Sequence, residues 1–432
     1  MLTLYSWFFR IALPFVLFRL WWRGRRQPAY RERLRERLGQ VPGRLSHAPL
    51  IWVHAVSVGE TLAAMPVIDR LAARHPEWQW LVTTSTPTGS ERVREALRPV
   101  LGGRLLHYYL PYDLPEYLFR FLKALRPSLL VIVETELWPN LLHLCRKQKI
   151  PTLLANARLS EKSARGYGRL PGFARAMLCD IERVVAQYPA DAERFLSLGL
   201  PAERIVAGGN IKFDLDIDLG LMSEAQVLSH QWRGFSNRKV WLAASTHDGE
   251  DGIILDAFSI LKRAFADLLL VLVPRHPQRF SSVAQLCRAR GLRVVRRSEG
   301  SAPVARDQVL LGDTMGELLR FYGACDVAFV GGSLVPVGGH NMIEPAAWGV
   351  PVVCGPFLHN FTTVAQLLVD AGGMAIAGNA ESLARQLRAW LESDTRRKGA
   401  GQRARGVAEA NKGALQRLLD EIEGLAAGLE GR

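Results

Sequence analysis

Cysteine is scarce and unpatterned in this chain: five residues, at positions 145, 179, 287, 325 and 354, are scattered through 432 residues with no C-x-x-C pair. That spread disfavours a disulfide framework and a thiolate zinc site, and favours a reducing compartment. The short signatures of common enzyme classes are missing as well, since no G-x-G-x-x-G, Walker A, H-E-x-x-H or G-x-S-x-G occurs. Dinucleotide oxidoreductases, P-loop ATPases, zinc proteases and serine hydrolases therefore lose ground. There is no low-complexity segment and no short tandem repeat, which argues against solenoids and disordered arrays. Long uninterrupted apolar runs are also lacking. The most apolar stretch, residues 4 to 22, carries Pro14 and is broken by the charges of Arg10 and Arg19, and its uncharged core from Ile11 to Phe18 falls short of the roughly 20 residues that span a bilayer with ease.

What is present is a chain too long for one core, with 48% hydrophobic residues, so two domains are expected. The net charge is +14, and residues 1 to 45 carry ten Arg against Glu32 and Glu36, which places +8 of it in the first tenth of the chain. A nucleic-acid binder spreads its cations along a groove, whereas a basic block beside an apolar helix suits anionic lipid; no nucleic-acid partner is expected. Arg19, Arg23, Arg25 and Arg26 follow the apolar stretch, which has no charged n-region and no small-residue cleavage site. These features point away from a secretory signal and towards a tether that keeps the body cytoplasmic, on the inner leaflet.

From residue 50 onward, β-rich runs alternate with amphipathic stretches. The runs at 50–56, 78–84, 128–134, 151–156 and 183–187 form a first set; those at 239–245, 268–274, 293–295, 309–311, 327–331 and 351–355 form a second. This alternation predicts an α/β fold of two doubly wound, Rossmann-like domains with their strand carboxyl ends on a common cleft. The expected boundaries are an anchor at 1–24, a first domain at 25–208 and a second at 209–432. The second includes a polar connector at about 208–237 and closing helices at 379–392 and 395–427.

Residues 327 to 356, VAFVGGSLVPVGGHNMIEPAAWGVPVVCGP, carry the strongest local signal. A buried strand, glycines at 331, 332, 338 and 339 and a helix starting near Asn341 outline a phosphate pocket, with Glu344 able to accept from two sugar hydroxyls. Other candidates fall at strand ends. Ser57 and Glu60 have the spacing of a capping box, yet Glu60 is equally placed to act as a general base. Glu134 and Glu136 follow a buried strand beside Trp138, where burial must be offset by a partner. Arg275 and His276 end another strand and suit a phosphate, and Met315 to Glu317 form a loop turning into a helix. Lys212 lies in the connector, followed by DLDID at 214–218, a D-x-D pattern that some sugar transferases use for a metal.

Taken together, the blocks IWVHAVSVGETLAAMP, TTSTPTGSERV, YLPYDLP, ETELWPN, ANARLS, GNIKFD, PRHPQRF and GGHNMIEPAAWGVPVVCGP resemble the 3-deoxy-D-manno-octulosonic acid (Kdo) transferases of lipopolysaccharide assembly. The resemblance runs in order along nearly the whole chain, including RGRRQPAYRERLRERLG after the apolar segment. It implies a GT-B fold and an inverting transfer of Kdo from CMP-Kdo to the lipid A precursor, lipid IVA, at the cytoplasmic face of the inner membrane, without metal or cofactor. It implies that Glu60 accepts the proton, that Glu134 and Lys212 assist the transition state, and that CMP lies against Pro274, Arg275, Met315, Gly316, Glu317, Asn341, Met342, Ile343 and Glu344. A sugar-nucleotide epimerase or hydrolase on the same two domains, or a non-catalytic membrane scaffold, are the alternatives to that activity.

Overall fold

The central strands of this computed structural model are buried on both faces, as apolar runs without alternation require. Residues are described throughout except for Arg26, 235–237 and 431–432. One arginine of the basic cluster and the end of the expected connector thus lie outside the described residues. Two compact units emerge, Met1–Asp214 together with Lys412–Arg432, and Leu215–Asn411.

The first unit holds a parallel sheet of β1 (Leu50–His54), β2 (Gln79–Thr84), β3 (Leu105–Tyr109), β4 (Leu129–Val133), β5 (Thr152–Ala157), β6 (Arg183–Ala186) and β7 (Ile205–Ala207), in the order β3-β2-β1-β4-β5-β6-β7. Every described pairing in it is parallel. Alternate residues feed two cores, Ile51 and Val53 on one face and Leu50 and Trp52 on the other, where Trp52 meets Phe121.

The second unit repeats the plan with β8 (Val240–Thr246), β9 (Leu269–Pro274), β10 (Val294–Arg296), β11 (Val309–Leu311), β12 (Val327–Val330), β13 (Val352–Cys354) and β14 (Met374–Ile376), ordered β10-β11-β9-β8-β12-β13-β14. In each sheet the chain builds one side and then returns to the other side of its first strand. The resulting switch points, β1/β4 and β8/β12, are where doubly wound sheets open a crevice at their carboxyl ends.

The expected boundary needs correction. Residues 412–432 do not close the second domain but return to the first. The reason is visible in the expected helix at 395–427, which is broken into Asp394–Ala410 and Ala414–Glu430 at Gly413, whose φ of +91° suits glycine. Leu415, Leu418, Leu419 and Ile422 then bury themselves in the first unit's core, each contributing about 1.5–3 kcal/mol of apolar burial. Asp214 fastens the junction by accepting from the backbone N–H groups of Gly413 (2.6 Å) and Leu415 (2.8 Å). In DLDID, Asp214 and Asp218 are thus both helix caps, Asp218 accepting from Leu221 N at 2.7 Å.

The N-terminal helix, Leu2–Arg23, continues through Pro14 and is long and apolar enough to cross a membrane by length and composition. Trp7, Phe8, Ile11, Phe15, Phe18, Trp21 and Trp22 are exposed along it. Its first turns are tied to the body: the Ser6 hydroxyl donates to Asn140 Oδ1 (3.1 Å), Arg10 pairs with Glu116 (2.9 Å), and Tyr5 donates to buried Asp113.

Candidate active site

In the first unit the residues of interest gather where β1 and β4 end. Ser57 caps the helix Val58–Arg74, accepting from Glu60 N at 3.3 Å, so the N-cap half of the capping box expected from the sequence forms. The Glu60 carboxylate answers by accepting from Val56 N (2.7 Å) and the Ser57 hydroxyl (2.8 Å). Capping fixes this side chain without consuming every lone pair of its two oxygens. Burial pushes its carboxyl above the usual range, against the pull of these hydrogen bonds, and the charge of Glu134 adds to the rise.

Glu134 sits one residue beyond β4 with φ of +63°, a left-handed conformation uncommon for a residue with a side chain. Its Oε1 lies 2.7 Å from Lys212 Nζ. The lysine reaches it from a short turn, Ile211–Phe213, pinned at its start: Asn210 Oδ1 accepts from Lys212 N (3.1 Å) and Asn156 Oδ1 accepts from Ile211 N (3.2 Å). Asn156 is itself left-handed, at an irregularity in the β5–β6 register. Sequence reading passed over it; an asparagine inside the buried run TLLANA was the available signal. Glu136 completes the group, receiving Trp138 Nε1 at 3.1 Å, and burial together with the charges of Glu60 and Glu134 raises it to about 7. Glu60, Glu134 and Lys212 are therefore together, with a third carboxyl beside them.

In the second unit, Pro274 ends β9 and Arg275 follows it, anchored by its N–H to Thr246 O at 3.0 Å. The helix expected near Asn341 begins at Ile343 and runs only to Ala347. Asn341 instead braces the turn, accepting from Ile343 N (3.1 Å) and donating to Glu344 Oε1 (3.0 Å). Burial raises the Glu344 carboxyl, opposed by that bond and by nearby Arg275. Met342 and Ile343 are buried under it. Met315 is exposed, Gly316 has φ of +81° with open space where a Cβ would be, and the helix starts only at Leu318. The Glu317 carboxylate is taken by Arg297 (2.8 Å) and the Thr314 hydroxyl, so this segment can offer a ligand backbone more readily than a charge.

Two features of this unit escaped the sequence reading. Glu250, opening the helix Glu250–Lys262, is fully buried and accepts from four backbone N–H groups, those of His247 (2.8 Å), Gly332 (2.7 Å), Ser333 (3.0 Å) and Leu334 (2.9 Å). It lashes the glycine loop after β12 to the end of β8. His247 and His340 are the second feature. The acidic run DGED before the apolar GIIL, and a histidine inside the glycine loop, were the clues available.

A family model described as 3-deoxy-D-manno-octulosonic-acid transferase (kdotransferase) matches residues 32–215. A Haemophilus influenzae protein named 3-deoxy-D-manno-octulosonic acid transferase is 42% identical over 400 residues, covering 92% of this chain and 92% of its own. The chain belongs to the Kdo transferase family. A Bordetella pertussis protein of the same name is 37% identical over 429 residues, 97% of this chain and 98% of that one. Among solved structures, a UDP-GlcNAc 2-epimerase of Neisseria meningitidis bound to UDP-GlcNAc superposes with a TM-score of 0.56 at 17% identity, over 86% of this chain and 100% of that chain. That likeness concerns the fold, and agrees with the two parallel sheets expected of a GT-B glycosyltransferase.

Proposed function

We propose that this Kdo transferase family member moves Kdo from CMP-Kdo to lipid IVA with inversion at the anomeric carbon. The observation that carries the reading is the assembly of Glu60, Glu134 and Lys212 at the β1/β4 switch point, with Glu134 held in a strained conformation. Kdo leaves a nucleoside monophosphate, so the transition state combines a cationic sugar carbon with a phosphate of growing charge. Glu60 takes the proton of the acceptor hydroxyl, and its raised carboxyl suits a base that works near neutral pH. Attack opposite the leaving phosphate in a single displacement gives inversion. Lys212, aligned by Glu134, offsets the negative charge that develops. Arg275 and the backbone around 315–317 and 341–344 hold CMP, with Glu344 accepting from the ribose. The reading calls for no metal or cofactor. Release of CMP that requires lipid IVA tests it; release without acceptor would instead favour a hydrolase or epimerase.

The donor half makes its own forecast. Arg275→Ala and Glu344→Ala each remove a contact to phosphate or ribose, and each is expected to cost about 1.5–3 kcal/mol of CMP affinity while acceptor binding is spared. Calorimetry showing CMP binding untouched in both variants would move the nucleotide elsewhere.

Leu2–Arg23 supplies the tether to anionic lipid of the cytoplasmic leaflet, where the acceptor also resides. Removing residues 1–24 takes away the Tyr5, Ser6 and Arg10 contacts but no strand, and Asp113 keeps its bonds from Asn140 N (3.1 Å) and Leu141 N (2.9 Å). The truncated protein is expected to fold with a loss of about 1–2 kcal/mol. It should bind anionic vesicles weakly and salt-sensitively, at about 1 kcal/mol for each remaining basic residue near the surface. Activity should persist on detergent-dispersed lipid IVA and drop on acceptor in a bilayer. Loss of activity in detergent would make the helix part of the acceptor site.

A further inference from the structure

His247 and His340 meet head to head. Their Nε2 atoms are 2.7 Å apart, the ring planes lie within 9° and the centroids are 5.0 Å apart, the geometry of an in-plane N–H···N bond. One ring therefore holds the shared proton and the other presents its lone pair. The arrangement is built rather than incidental. His247 follows β8 and His340 lies in the loop after β12, and a single oxygen of buried Glu250 accepts from both His247 N and Gly332 N. Gly332, at φ +68°, makes room: a Cβ there would stand 3.0 Å from His340 Cδ2.

The surroundings are cationic. Arg275 and Arg279 face the pair, and His276 stands edge-on to His247 with centroids 5.2 Å apart. Two carboxylates stand nearby: Asp251, engaged by the Thr246 hydroxyl (2.7 Å) and by Arg279, whose charge it balances, and buried Glu250, engaged by backbone N–H groups; Arg275 is the cation that acts on both rings. Burial, with the arginines, depresses both imidazoles, His340 to about 3, so the pair is neutral. A neutral pair sharing one proton offers one outer N–H and one outer lone pair at the two Nδ1 atoms. Both residues are partly exposed, at the β8/β12 switch point, with Arg275 beside them.

We infer that the His247–His340 pair grips the donor's leaving phosphate and takes up one proton as that phosphate gains its second negative charge. The inference rests on the CMP-Kdo reading above. As the bond between the anomeric carbon and the phosphate oxygen breaks, both electrons stay on that oxygen. The pair takes up a proton from bulk solvent at its outer lone pair, and the shared proton crosses to the other ring, which becomes cationic and donates its outer N–H to the phosphate. The dianion offsets the opposition that Arg275 sets against that extra charge.

Titration of the full-length protein with CMP, by calorimetry in buffers of different ionisation enthalpy, reads the coupling directly. At about pH 7.5 or above the phosphate of free CMP is already a dianion, because its second pKa is about 6. The wild type should take up about one proton per CMP bound, with affinity falling about tenfold for each pH unit above that. His340→Gln and His247→Gln should each lose the uptake and bind CMP about tenfold more weakly, and either variant suffices if the other fails to fold. Wild-type binding without proton uptake, or uptake that survives in a folded variant, would overturn the inference and leave the CMP reading standing. A wild type that binds no CMP would overturn both.

Discussion

Glu60→Gln is expected to leave CMP affinity unchanged while turnover falls by about 10²- to 10⁴-fold. Glutamine keeps the shape of the carboxylate and can still accept from Val56 N or Ser57, so the helix start survives, but it has no basic oxygen to take a proton. The pH profile separates catalysis from capping. Glu60 works deprotonated, and its carboxyl is raised by burial and by Glu134. Activity of the wild type should therefore fall as pH drops through a value above the ordinary carboxylate range, and that limb should vanish in the variant. Glu136 reports the same field. The Glu60 charge helps to hold Glu136 at about 7, so Glu60→Gln should lower the Glu136 pKa, read by carboxyl NMR. A folded variant with near-wild-type turnover would return Glu60 to capping alone.

Glu250→Ala should be the most damaging single change to the fold of the second unit. Its fully buried carboxylate satisfies four backbone N–H groups in two segments. Leaving buried donors without partners costs about 1–3 kcal/mol each, so the loss should reach at least about 4 kcal/mol against a typical domain stability of about 5–15 kcal/mol. Glu250→Gln keeps one acceptor oxygen but turns an NH₂ towards donors, and should be intermediate. Urea denaturation of the second unit would measure both; a loss below about 1 kcal/mol in the alanine variant would mean that the loop after β12 is held by other contacts.

The parallel sheets were legible because runs such as LIWVH, LLVIV and VWLAAST are apolar without alternation up to their last one or two residues, which only strands covered on both faces sustain. β3 was missed because its residues are mostly half-buried, and β7 and β14 because three residues at a sheet edge carry no periodicity. The return of Ala414–Glu430 to the first unit depends on contacts nearly two hundred residues away from Asp214, which no local pattern encodes. At the site, the residue types announced themselves where a charge follows a buried strand. Their pairing did not: the Lys212–Glu134 contact, the positive φ of Glu134 and the meeting of His247 with His340 arise from topology, which brings separate strand ends to one switch point.

Mass spectrometry of lipid IVA after incubation with the full-length protein and CMP-Kdo tests the central claim most directly. The expected result is lipid IVA heavier by one or more whole Kdo residues, formed by the wild type and strongly reduced with Glu60→Gln. Unmodified lipid IVA beside consumed CMP-Kdo would contradict the account.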